Sequence, residues 1–107
     1  MSGYISLSSN TGWQATSGLF RFVANFIADR VQNKDLATHI HDMLEFNLPH
    51  QISLDELSPD NRREVLNILQ NDIVRHAQEN LPDSTETRDA LLDHIRELAD
   101  LARETPG

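Results

Sequence analysis

The chain of 107 residues carries 9 Lys and Arg against 17 Asp and Glu, giving a formal net charge of -8, and it has no cysteine. Its length suits one domain with one modest core, and the missing cysteines exclude disulfide frameworks, thiolate zinc sites and cysteine nucleophiles. The negative charge argues against direct binding to nucleic acid or to an anionic membrane, both of which need a basic patch, and favours a cationic partner.

The first residues, Met1-Ser2-Gly3-Tyr4, lack the basic start and apolar run of a signal peptide, and the longest apolar-rich stretch, residues 19–28, is interrupted by Arg21 and Asn25. A cytoplasmic protein without a membrane span is therefore expected. From Tyr4 to Ser8 the residues alternate, with Ile5 and Leu7 on one side, which is the period-two pattern of a half-buried strand. Residues 51–54 are its one candidate partner, although no hairpin signal joins the two segments. The turn-forming run from Ser8 to Gly12 precedes a first helix expected to begin between Trp13 and Leu19. Leu19, Phe20, Phe22, Val23, Ala24, Phe26, Ile27 and Val31 spread over a broad arc of this helix, leaving Arg21, Asn25 and Asp29 as a narrow polar edge. A helix this apolar is expected at the centre of the core.

A second helix fits Asp35 to about Phe46, closed by Leu48-Pro49. Ser53-Leu54-Asp55-Glu56 has capping-box spacing and predicts a short turn. Ser58-Pro59-Asp60 opens a third helix, because serine accepts from free amides, proline has no amide to leave unpaired and aspartate suits the positive helix end. Val65, Leu66, Leu69, Ile73 and Ala77 carry it to about Asn80. Asp83 or Ser84 is expected to cap a last helix with Leu91, Leu92, Ile95, Leu98, Ala99 and Ala102 as its apolar stripe, ended by Thr105-Pro106-Gly107. The fold class expected is mainly α: a compact bundle of about four helices in a single domain over residues 1–107, with a short N-terminal strand beside residues 51–54.

The histidines do not form a metal motif. His39 and His41, two apart, would point about 200° away from each other on a helix, and there is no H-E-x-x-H. Asp35 with His39, and Asp72 with His76, are spaced by four, but a zinc site needs three or four converging ligands. Asp35, His39 and Asp42 are the residues to mutate if an ion did bind; no cofactor or metal is expected. There is likewise no G-x-S-x-G elbow, S-x-x-K pair or phosphate loop, so a non-enzyme is expected.

Charge is unevenly distributed. Residues 1–53 hold four acids and three bases, whereas residues 54–107 hold thirteen acids and six bases. In the last helix Glu86, Asp89, Asp93, Glu97, Asp100 and Glu104 fall on one arc about 80° wide, opposite the apolar stripe, with Arg96 and Arg103 at its margin. A charged arc of this kind is either simply a solvated face or a docking surface for a basic partner.

Small, acidic, without cysteine and without a catalytic motif, the chain resembles the cytoplasmic immunity proteins of bacterial toxin systems. The residues carrying the resemblance are the stripe from Glu86 to Glu104 together with Asp55, Glu56 and Asp60. It implies a non-catalytic inhibitor that covers the positive groove of a nuclease-like toxin, and it carries no fold with it. The alternative is a self-associating helical adaptor or regulator, a homodimer burying the arc around Phe22 and Phe26 between copies.

Overall fold

The computed structural model describes residues 2–46, 50–81 and 85–105, with the side chains of residues 2 and 85–87 left out of that description. In chain order, β1 (Ser2–Ser8) and β2 (Thr11–Thr16) lead into α1 (Ser17–Arg30) and α2 (Lys34–Glu45). Then come β3 (Gln51–Ser53), a 3-10 turn (Leu54–Glu56), α3 (Pro59–Asn71), α4 (Ile73–Asn80) and α5 (Thr85–Glu104). The protein is mainly helical with a small sheet ordered β2-β1-β3.

Strand β1 pairs antiparallel with β2, Ile5 opposite Trp13, and parallel with β3, Ile5 opposite Ile52. The alternation read from the sequence sets its faces. Ile5 and Leu7 are fully buried while Tyr4 stands outside. The pairing with residues 51–53 is present; the hairpin partner β2 was not foreseen. Its inward residues, Trp13 and Ala15, alternate with Gly12, Gln14 and Thr16, but the glycine and turn-forming neighbours mask so short a period-two signal.

Helix α1 starts where Thr16 accepts from the Leu19 amide. Leu19, Phe20, Val23, Ala24, Phe26, Ile27 and Ala28 are all buried, and Arg21, Asn25 and Asp29 are exposed. The helix packs on β1 and β2 and on α2 and α3. Its approach to the sheet depends on Gly3, where a Cβ would run into the Phe20 ring. Here glycine is required for closeness rather than for an unusual backbone angle.

The expectation of about four helices in a bundle is corrected. The stretch anticipated as one helix to Asn80 is divided at Asp72 (φ -110°, ψ -30°) into α3 and α4. Asn67, Asn71 and Asp72 are poor helix formers, and the Asn71 amide group donates back to the Asn67 carbonyl and side chain. The bend lets both halves pack on α5. The Ser58 cap is as read, its hydroxyl accepting from the Asn61 amide with proline at the first position. Ser53 makes no side-chain cap, so the capping box does not form around the 3-10 turn. Helix α2 is capped instead by Asn33, which accepts from the Asp35 and Leu36 amides. The stop at Leu48-Pro49, the cap at Asp83 or Ser84, and Pro106-Gly107 lie outside the described residues. Phe46, just past α2, is 66% exposed and takes no part in the core.

Gly3→Ala should lower stability by about 1–3 kcal/mol through overpacking against Phe20, read as a reduced urea midpoint at unchanged slope. Gly12→Ala should cost less, because its methyl would meet only the phenol end of the exposed Tyr4 side chain.

Candidate functional site

The last helix is held to the body by three tethers. Near its start, Arg88 donates to the Gln78 carbonyl at 2.6 Å, where the negative end of α4 suits a guanidinium. At its end, Gln70 donates to the Ala102 carbonyl at 2.9 Å and Arg103 to the Gln70 carbonyl at 3.0 Å. In the middle, the indole of Trp13, 2% exposed, donates to the His94 carbonyl at 3.0 Å. The His94 ring stacks on the indole with centroids 4.8 Å apart. Its Nε2 donates to the Gln14 carbonyl at 2.6 Å, an acceptor-only partner that places the proton on that nitrogen.

These contacts orient α5. Leu92, Ile95, Leu98, Ala99 and Ala102 are buried, and Asp89, Asp93, Glu97, Asp100 and Glu104 are exposed on the opposite side. Glu86 belongs to α5, but its side chain lies outside the described residues. The arc is not purely acidic. Asp93 meets Arg96 at 3.2 Å, Asp100 meets Arg103 at 2.9 Å, and the Glu97 carboxylate lies 3.3 Å from His94 Nδ1. Arg103, like Arg96, stands at the margin of the arc, and residues 88–104 carry five acids and three arginines. The acids nevertheless keep 77% (Asp93), 63% (Glu97) and 70% (Asp100) of their side-chain surface. Such exposed pairs contribute about 1 kcal/mol or less to stability.

Beside this face, between β2 and α5, runs a groove of ≈ 530 Å³ lined by Gln14, Ala15, Thr16, Leu19, Ala90, Leu91 and His94. An apolar groove flanked by charges has the anatomy of a protein-docking surface, with a dry centre and a polar rim.

Asp55, Glu56 and Asp60 lie elsewhere. Asp55 approaches Arg62 at 3.9 Å, and Asp60 lies in the first turn of α3. Arg103 grips α3 at Gln70, ten residues or about 15 Å of helix beyond Asp60. Glu56 instead shares a cleft with Asp35 and His39. Among the described residues no three His, Asp or Glu side chains converge to hold a metal ion, Asp35, His39 and Asp42 included.

Two histidine sites were not legible in the sequence. Ser17 Oγ and His50 Nδ1 are 3.4 Å apart and the His50 ring stacks on Phe20, but its buried Nε2 has no partner among the described residues, so no carboxylate orients the pair. His76 stacks on Phe26, with centroids 3.9 Å apart, and on the edge of Phe22, covering the arc of α1 proposed for self-association. The Arg30 guanidinium also lies over Phe26, 5.0 Å from its centroid. Burial, then the Arg30 charge, holds the His76 pKa below its ordinary value of 6.5, opposed by Glu79 and Asp29.

Comparison with family models, curated proteins and solved structures returned no match. Among the described residues no helix is long and apolar enough to cross a membrane.

Because folding favours neutral His76, its stabilising contribution should be whole above pH 6.5 and lost as the pH falls through its depressed folded value. Between pH 7.5 and 5, the urea midpoint of the parent protein should fall further than that of His76→Gln. An equal fall would refute the assignment.

Proposed function

We propose that the protein is a non-catalytic binding module of the bacterial cytoplasm, an immunity protein that neutralises a basic, nuclease-like toxin through its acidic C-terminal surface. The observation that carries this reading is the outer face of α5, where Asp89, Asp93, Glu97, Asp100 and Glu104 remain exposed next to the apolar groove at β2. A basic protein would be steered by the carboxylates and anchored by side chains entering between Leu19 and Leu91. Asp55, Glu56 and Asp60 form a second contact region for a partner large enough to span both.

Affinity capture from the native cell, or the sequence of the gene immediately upstream, should identify the partner as a basic nuclease domain. Its cleavage should cease at one equivalent of this protein. The triple reversal Asp93→Lys, Glu97→Lys, Asp100→Lys should slow association at low salt by about tenfold or more, with the difference shrinking as salt is added. Unchanged association would remove α5 from the interface. A concentration-independent dimer that binds no basic partner would point to the self-associating adaptor instead.

A further inference from the structure

A second surface has features that the α5 face does not use. Strand β3 ends the sheet. The Tyr4 amide donates to the His50 carbonyl at 3.0 Å, and Tyr4 is in register with Gln51. In a parallel ladder a residue bonds to the two neighbours of its partner, so the N–H and C=O of Gln51 itself point away from β1. Neither has a partner among the described residues.

Facing this free edge is α2. It packs on α1 and makes no comparable packing with the sheet, which leaves a cleft of ≈ 340 Å³ between helix and strand. Leu36, Ile40 and Met43 give the cleft an apolar wall, and Asp35 from α2 and Glu56 from the 3-10 turn stand exposed at its rim. No lysine or arginine lines it, and neither carboxylate has an ion-pair partner among the described residues.

We propose that this cleft binds an extended cationic peptide segment as a fourth strand beside β3. Backbone groups of the peptide pair with Gln51, its apolar side chains lie on Leu36 and Met43, and its lysine or arginine side chains reach Asp35 and Glu56. Strand addition supplies affinity through main-chain hydrogen bonds, while side-chain pockets supply selection. The carboxylates determine the sign of charge accepted. This site is separate from the α5 face, shares only Glu56 with the second contact region proposed above, and does not rest on the toxin reading.

The test is a titration of the ¹⁵N-labelled protein with an end-capped heptapeptide of alternating lysine and valine. Shifts should concentrate at Gln51, Ser53, Leu36 and Met43. The same peptide methylated at alternate backbone nitrogens should bind about tenfold more weakly, having lost main-chain donors, and a glutamate-valine counterpart should not bind. Gln51→Pro, which removes the outward amide and also fixes the local backbone angle, should abolish the shifts at Leu36 and Met43, with unchanged resonances of Tyr4 and Ile5 showing that β3 still pairs with β1. Asp35→Asn with Glu56→Gln should weaken binding by about tenfold at low salt without altering the fold. Reversal of Asp93, Glu97 and Asp100 should leave it unchanged. Shifts centred on α5, equal binding of the methylated peptide, absence of binding, or dimerisation through β3 in place of peptide binding would each overturn the proposal.

Discussion

A helix as apolar as α1 has to be covered on several sides at once, and the other elements lie where they provide that cover. The sheet takes the Phe20 side through Gly3, α2 and α3 take the flanks, and the His76 ring of α4 closes over Phe26. Burying each large side chain is worth roughly 1.5–3 kcal/mol, far more than any of the exposed ion pairs on α5. Packing on α1 therefore determines the architecture, and the surface charges are distributed over a body already formed.

The placement of α5 follows from that body. Trp13 and His94 are 81 positions apart, yet their ring stack and two hydrogen bonds join the N-terminal hairpin to the last helix. This contact does two things at once. It shields one edge of β2, where unpaired backbone groups invite unwanted association, and it rotates α5 so that its carboxylates face solvent beside the groove. Among the described residues no element packs along the opposite edge of the sheet, at β3, because α2 is committed to α1. The two candidate surfaces thus arise from an asymmetry in how a three-stranded sheet is covered by its helices.

Much of the fold was legible because local signals and burial agreed. The alternation around Ile5 and Leu7, the breadth of the apolar arc on α1 and the Ser58-Pro59 start each recur in the structure with the faces anticipated. The break at Asp72 was concealed because Leu69, Ile73 and Ala77 keep helical spacing across it. β2 was concealed because its inward residues are only Trp13 and Ala15. The acidic arc of α5 was legible from spacing alone, whereas the pairing of Asp93 with Arg96 and of Asp100 with Arg103 depends on side-chain directions. The grouping of Asp55, Glu56 and Asp60 with that arc was compositional: Asp60 opens α3, ten residues before the Gln70 carbonyl that Arg103 holds.

By itself the sequence determined the mainly helical class, the central helix and the uneven division of charge, and it offered one of the two pairing partners of β1, since all of these follow from periodicity, capping and composition within short windows. Only the tertiary structure decided which carboxylates share a surface, that Phe22 and Phe26 are covered by His76, and that clefts open at β2 and β3. Those outcomes depend on contacts between residues tens of positions apart, whose geometry is set by packing around α1 and leaves no trace in local pattern.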